Sequence, residues 1–105
     1  MGKEVAPKAM YVTVRRYEGV TDPSEAAREV DEGFIPIISE VAGFVAYYWV
    51  DAGDGVMVST SVFEDRSGAE ESNSRAADYV RENLSSLLPN PPQIAAGEVV
   101  AHKAS

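Results

Sequence analysis

The chain has 105 residues, no cysteine, 45% hydrophobic and 25% charged residues, and a formal net charge of -8. A chain of this length forms one domain with one ordinary core, and this composition is typical of a globular protein. The absence of cysteine excludes disulfides, thiolate metal ligands and a cysteine nucleophile, and it is consistent with a cytoplasmic location. The acidic surface disfavours nucleic acid as a partner. No apolar run reaches the about 20 residues of a membrane span.

The two ends of the chain are predicted to lie outside the folded domain. Residues 1–9 are polar and contain Pro7, which indicates a flexible N-terminal tail. Residues 10–102 are predicted to form a single domain, followed by a short tail at 103–105.

The first half of the domain predicts a strand followed by a helix. Residues 10–17 alternate in polarity and are rich in β-branched and aromatic side chains, which favours a strand. Asp22 followed by Pro23 indicates a helix start, because Asp accepts bonds from free backbone amides and Pro has no amide to leave unpaired. Apolar residues then recur at helical spacing as far as Val41. Pro36 lies within this stretch and predicts a kink or an early end.

The second half predicts a hairpin, a helix and a last strand. Gly and Asp at 52–55 tolerate the positive φ values of tight hairpins. The prolines at 89–92 end the helix that precedes them. The predicted elements are strands at 43–51, 56–64 and 94–102 and a helix at 66–88. The order β-α-β-β-α-β predicts an α+β, ferredoxin-like fold, in which a four-stranded antiparallel sheet carries both helices on one face.

The predicted hairpin presents two different faces. With a loop of two or four residues, one face carries the pairs Val50 with Met57, Tyr48 with Ser59, Ala46 with Ser61 and Phe44 with Phe63. A three-residue loop with a bulge would shift this pairing. The other face is bulkier and more continuously apolar. Its residues Tyr47, Trp49 and Val58 predict a homodimer formed by sheet-on-sheet packing.

The first of these faces predicts a pocket between the sheet and the helices. Apolar walls with a few polar groups are typical of small-molecule sites, so we expect a small apolar or aromatic ligand there. The candidate substrate-binding residues are Phe34, Tyr48, Ser59, Ser61, Phe63 and Asn73. The alternative is that the hydroxyls bond one another or the backbone in a packed sheet. Arg15 and Arg16 point to opposite faces of the first strand, and alternation does not decide which of them faces inward. The inward arginine is expected to extend its charged end to solvent or pair with a carboxylate, and the alternative is that it neutralises an anionic substrate.

Three motifs resemble the antibiotic-biosynthesis-monooxygenase-like family of dimeric α+β barrels. They are F-x-P at 34–36, V-A-G-F at 41–44 and S-V-F-E-D at 61–65. The resemblance covers roughly residues 10–102 and implies a homodimer whose two sheets form a barrel, with a pocket in each subunit. The family includes cofactor-free quinol or anthrone monooxygenases and haem-degrading enzymes.

The resemblance also bears on cofactors. Haem-binding members use a histidine on the second helix, whereas residues 66–88 contain none and the only histidine is His102. No cofactor is therefore expected, and no His, Asp and Glu residues occur at metal-site spacing. We predict a monooxygenase-like protein that oxidises a small aromatic or quinol-type compound, although no residue stands out as catalytic. The alternative is a non-enzymatic small-molecule-binding or stress-associated accessory protein of the same fold.

Overall fold

A computed structural model of the chain describes residues 10–104, so the predicted tail at 1–9 lies outside the described residues. The strands are β1 (Tyr11–Tyr17), β2 (Phe44–Gly53), β3 (Val56–Phe63) and β4 (Gln93–Glu98). The α-helices are α1 (Pro23–Glu29), α2 (Ile35–Ile38) and α3 (Arg66–Tyr79). A first π-helical segment, Val30–Phe34, joins α1 to α2, and a second, Val80–Leu84, follows α3.

The four strands form one antiparallel sheet in the order β2-β3-β1-β4. This order is that of a ferredoxin-like fold, so the predicted fold is confirmed. The helices cover one face of the sheet, and the hydrophobic core lies between them and that face. The other face, called the open face below, carries no helix of residues 10–104. None of the helices in this range combines the length and the apolar character needed to cross a membrane.

The predicted helix starts are confirmed by their caps. The Asp22 carboxylate accepts a hydrogen bond of 3.1 Å from the Glu25 amide, and Pro23 occupies the first helical position. Asp65 caps α3 in the same way, by accepting from the Gly68 amide at 3.0 Å. Pro36 has no amide for the helical ladder. The chain widens into the first π-helical segment just before it, and α2 ends soon after it, at Ile38.

The hairpin between β2 and β3 turns through a two-residue loop. Asp54 and Gly55 both have positive φ, 55° and 76°, as a tight hairpin turn requires. Two irregularities interrupt the ladder, one between Asp51 and Gly53 and one between Phe44 and Ala46. Each adds a residue to β2, and one added residue exchanges the two faces of a strand.

The predicted register is therefore wrong between the two bulges. Tyr48 pairs with Thr60, and Ser59 pairs with Trp49. The predicted pairing of Phe44 with Phe63 is confirmed, because the second bulge restores the original register at the end of the strand.

This shift moves the aromatic residues of β2. Tyr47 and Trp49 face the helices and pack against the core, so their predicted place in a sheet-on-sheet interface is wrong. Tyr48 is 59% exposed on the open face, so its predicted place in the pocket is also wrong. Val58 pairs with Val50 on the open face, the side on which it was predicted.

The structure decides which face of β1 meets the helices. Thr13, Arg15 and Tyr17 are buried on the helix-facing side. Val12, Val14 and Arg16 therefore belong to the open face, because side chains alternate along a strand. At the far edge of the sheet, β4 ends at Glu98, earlier than the predicted strand at 94–102.

Candidate ligand-binding site

A layer of polar side chains lies on the helix-facing side of the sheet. Thr13, Arg15, Ser59 and Ser61 are each at most 2% exposed. Buried polar groups almost always have hydrogen-bond partners. Within residues 10–104, however, four buried side-chain atoms have none: Thr13 Oγ1, Arg15 Nη1, Trp49 Nε1 and Ser61 Oγ. Such a layer is suited to a ligand or an ordered water that supplies the missing partners.

Arg15 is the only charged residue among the buried side chains of the described range. Its Nη2 donates a hydrogen bond to Oδ1 of Asn73 on α3. None of the ion pairs formed within residues 10–104 includes Arg15. Burial lowers the pKa of the guanidinium, because a poorly solvated environment disfavours the charged form. Arg15 is thus a buried cation whose charge no carboxylate balances in this part of the chain.

Two tyrosines accompany Arg15 on the same face. Burial raises the pKa of Tyr17 and, more strongly, that of Tyr47, where a hydrogen bond with Ser59 acts in the opposite direction. Both hydroxyls therefore remain protonated at neutral pH. They can donate hydrogen bonds, but they are poorly suited to removing a proton from a substrate.

A small inner cavity of about 10 Å³ lies against this polar layer. That volume is close to the minimum for a single water molecule. Residues of both π-helical segments line it, together with aromatic and polar residues of the sheet: Val30, Phe34, Val80, Leu84, Arg15, Tyr17, Tyr47, Trp49 and Ser59. Side chains fill most of the space in which a pocket was predicted.

A much larger groove opens beside the inner cavity, and we call it the first groove. Its volume is about 340 Å³, at the low end of the roughly 300–1,000 Å³ of small-molecule sites. It lies between the sheet edge, α3 and the proline-rich loop after the second π-helical segment. Its lining residues are Arg15, Tyr17, Asn73, Ala77, Val80, Arg81, Ser85, Leu88, Pro89, Asn90, Pro91, Pro92 and Ile94. The groove and the inner cavity share Arg15, Tyr17, Val80 and Leu88.

The rim of the first groove is tied to the loop between β1 and α1. Asn90 Nδ2 donates to the Glu18 carbonyl at 3.1 Å, and Thr21 Oγ1 donates to the Ser86 carbonyl at 3.1 Å. These bonds fix the proline-rich loop to the loop between β1 and α1. The sequence identified this loop only as a helix stop, although three prolines form a rigid apolar surface.

A second groove, also of about 340 Å³, lies on the other side of Asn73. Its lining residues are Tyr11, Thr13, Arg66, Ala69, Glu70, Asn73, Ala96, Gly97 and Glu98. In this groove Arg66 is already paired with Glu70, at 2.9 Å. The second groove therefore has two carboxylates, whereas the first has none among its described lining residues.

The predicted site residues are distributed as follows. Phe34 and Ser59 line the inner cavity, and Asn73 lies between the two grooves. Ser61 is buried in the polar layer. Phe63 stacks edge-to-face on Phe44, with ring centroids 5.8 Å apart, beyond this layer on β3.

The sequence interpretation expected an inward-facing arginine on β1 without deciding between Arg15 and Arg16, and it placed three aromatics of β2 on the wrong face. Tyr47 and Trp49 line the inner cavity, where Tyr47 contacts Phe34 at 5.7 Å between ring centroids. The sequence contained a signal for Arg15. Arg15 shares its face of the first strand with Thr13 and Tyr17, and no acidic residue lies on that face of the strand.

Comparison with known proteins gives structural matches only. No protein-family model and no curated protein match the chain. A monooxygenase from Streptomyces coelicolor, ActVA-Orf6 in complex with Nanaomycin D, matches with a TM-score of 0.73 and 23% identity, over 95% of this chain and 96% of that one.

Two further structures show the same fold. SnoaB, a cofactor-independent oxygenase from Streptomyces nogalater, has a TM-score of 0.62 and 15% identity, over 91% of this chain and 96% of its own. A dimeric ferredoxin-like protein from an uncultured marine organism has a TM-score of 0.65 and 13% identity, over 90% of this chain and 99% of its own. The chain thus has the ferredoxin-like fold of the antibiotic-biosynthesis-monooxygenase-like structures, as its motifs predicted.

Proposed function

We propose that the chain is a cofactor-independent, monooxygenase-like enzyme that acts on a small aromatic or quinol-type compound bound in the first groove. One observation carries the proposal. A buried polar layer, four of whose side-chain atoms have no hydrogen-bond partner among residues 10–104, adjoins a groove of ligand size. The oxygenases of the same fold support the reaction type.

The proposed chemistry needs no cofactor, only dioxygen and a substrate that loses its proton to solvent. An anthrone-type CH₂ group that has lost a proton is electron-rich and can reduce O₂. The CH₂ group and O₂ then yield a C=O group and H₂O, so that one oxygen atom enters the product and the other leaves as water. The protein contributes orientation, exclusion of water and stabilisation of the charge that develops on the substrate oxygen.

The residues around Arg15 suit these tasks. Asn73 and Tyr17, which carry hydrogen-bonding groups, line the groove together with Leu88 and the prolines of the proline-rich loop, which supply apolar walls. Ser59 and Phe34 lie one layer deeper, on the inner cavity. We propose that they support the inner end of the site.

A second candidate function is small-molecule binding without catalysis. It is favoured by the absence of Asp, Glu and His from the described lining of the first groove, which leaves no obvious proton acceptor. A cytoplasmic location remains a prediction from the sequence for both candidates.

We also propose a homodimer formed by the open face. Val50 and Tyr48 are 47% and 59% exposed there, and Val12, Val14 and Val58 extend the same apolar surface across the sheet. A large exposed apolar patch is typical of an interaction surface, and a protein of the same fold is dimeric. We therefore propose Tyr48, rather than Tyr47 and Trp49, as an aromatic residue of this interface.

Oxygen consumption tests the proposed reaction. We expect the protein to accelerate oxygen uptake by an anthrone or a naphthoquinol, and mass spectrometry with labelled dioxygen to find one labelled atom in the anthrone product. Asn73→Ala is expected to slow uptake about tenfold or more, since one positioned donor commonly contributes that much. The matched control is Asn83→Ala, because the Asn83 amide bonds the Tyr79 carbonyl on the exposed side of the helix.

The two candidate functions separate in this experiment. Uptake no faster than in buffer removes the enzyme interpretation for these substrates. If such compounds nevertheless quench the fluorescence of Trp49, the one tryptophan of the chain, the binding function stands. If Asn73→Ala and Asn83→Ala change the rate of oxygen uptake equally, the activity does not depend on the first groove.

A further inference from the structure

The charge of the first groove is opposite to that of the whole chain. The chain has 17 acidic and 9 basic residues. Among its described lining residues, however, the first groove has Arg15 and Arg81 and neither Asp nor Glu. In a protein this acidic, a ligand-sized groove without carboxylates is a selective environment for a negative group.

The two arginines differ in whether their guanidinium groups are already paired with carboxylates. Arg81 lies at the exposed rim, where its guanidinium is paired with Asp78 at 2.9 Å and approaches Glu82 at 3.6 Å. Arg15 is 2% exposed, is bonded through Nη2 to Asn73, and has Nη1 without a partner in the described range. A guanidinium already held in place loses little side-chain entropy when an anion binds.

We infer that the inner end of the first groove is a subsite for the carboxylate of a small aromatic acid, and that Arg15 is the group that binds it. The planar fork of a guanidinium matches a carboxylate, and charge-assisted hydrogen bonds are stronger than neutral ones. The ring of the acid would lie along Val80, Leu88 and the proline-rich loop, which form the apolar part of the same lining. This inference rests on the proposed function insofar as it names the substrate class of the same site.

The second groove has the wrong charge for the same ligand. Glu70 and Glu98 line it, and its arginine, Arg66, is already paired. Both grooves have a volume of about 340 Å³ and share Asn73. Size alone therefore does not distinguish them, and charge directs an acid to the first.

Two probes of the same shape test the subsite without any reaction. 1-Naphthoate carries the carboxylate, and 1-naphthamide is its neutral counterpart. Binding is measured by calorimetry and by quenching of Trp49, which lines the adjoining inner cavity. We expect naphthoate to bind about 10- to 100-fold more tightly than naphthamide, the range for a hydrogen bond to a charged group. Equal affinities, or no binding of naphthoate, would overturn the inference.

Three variants test whether Arg15 causes the preference for naphthoate. Arg15→Gln should abolish the preference for naphthoate. Arg16→Gln is the matched control, because Arg16 is the next residue, lies on the open face and is paired with Glu18; it should keep the preference. Asn73→Asp retains the shape of Asn73 and places a carboxylate against Arg15, so that it too should abolish the preference. If Arg15→Gln does not fold, as judged by circular dichroism, Asn73→Asp decides alone.

The outcome is independent of catalysis. A preference for naphthoate that depends on Arg15 supports the subsite even if no oxygen uptake is found. A preference that survives both Arg15→Gln and Asn73→Asp refutes the subsite, and oxygen uptake by neutral quinols would still support the proposed reaction.

Discussion

The two faces of the sheet do not divide into an apolar covered face and a polar open face. The covered face carries four buried polar residues, Thr13, Arg15, Ser59 and Ser61, among core residues such as Met57 and Phe63. The open face carries a surface of valines that extends over three strands. In an ordinary sheet the apolar side chains face the core and the polar ones face water. The buried polar residues on the covered face and the exposed apolar residues on the open face agree with a ligand site on one side and a second subunit on the other, as proposed.

The largest expected effect concerns the open face. Val58→Glu would bury a carboxylate in the proposed interface, and we expect the dimer dissociation constant to rise about 100-fold or more. Val100→Glu is the control, because Val100 is 91% exposed. Light scattering distinguishes the dimer from the 11.3 kDa monomer. A wild-type monomer at micromolar concentration would contradict the proposed assembly.

The next prediction tests which of the two grooves on the covered face binds the ligand. Ala77 lines the first groove and Ala96 the second, and both are exposed. Ala77→Trp should fill the first groove and weaken naphthoate binding about tenfold or more. Ala96→Trp should leave the affinity unchanged, as measured by calorimetry. The reverse result would place the ligand in the second groove.

A third test compares the neighbouring arginines of the two faces. Arg15→Met removes a buried cation with no ion-pair partner in residues 10–104, so we expect the free energy of unfolding to rise by about 1–3 kcal/mol. Arg16→Met removes an exposed pair with Glu18 and should change it by at most about 0.5 kcal/mol. Thermal unfolding at one fixed protein concentration measures both. Marked destabilisation by Arg15→Met would show that Arg15 serves the core rather than a ligand.

The smallest effect compares two threonines on opposite faces. Thr13 Oγ1 is buried without a partner in the described range, so the isosteric change Thr13→Val should stabilise the fold by about 1 kcal/mol. Thr60 faces the open side, where Thr60→Val should give no such gain in the monomer. Urea unfolding measures the change in the free energy of unfolding for both variants. Equal shifts would mean that the Thr13 hydroxyl is satisfied in solution by water.

Most of the fold could be predicted because its signals are local. The cap at Asp22 depends on a few consecutive residues, as does the tight turn at Asp54 and Gly55. The order of elements then left a ferredoxin-like sheet as the simplest arrangement. Of the candidate site, Ser59, Asn73 and Phe34 were predicted on the correct side of the sheet.

The position of Tyr48 could not be predicted in this way. The face of the sheet on which a β2 side chain lies depends on the number of bulges between that residue and the turn. A single bulge moves the side chain to the opposite face. The bulge between Asp51 and Gly53 has this effect. It places Tyr47 and Trp49 on the helix-facing side of the sheet and Tyr48 on the open face. The sequence pattern on both sides of β2 is apolar, so hydrophobicity could not correct the register.

The amino-acid sequence by itself determined the succession of strands and helices, because caps, turns and side-chain periodicity act over a few residues. Only the tertiary structure decided that Arg15 rather than Arg16 is buried, and that Asn73 bonds it across the space between α3 and the sheet. These facts depend on pairing between residues far apart in the chain. The charge of Arg15 has no balancing carboxylate within residues 10–104, and this feature, on which the proposed ligand class depends, results from that long-range packing.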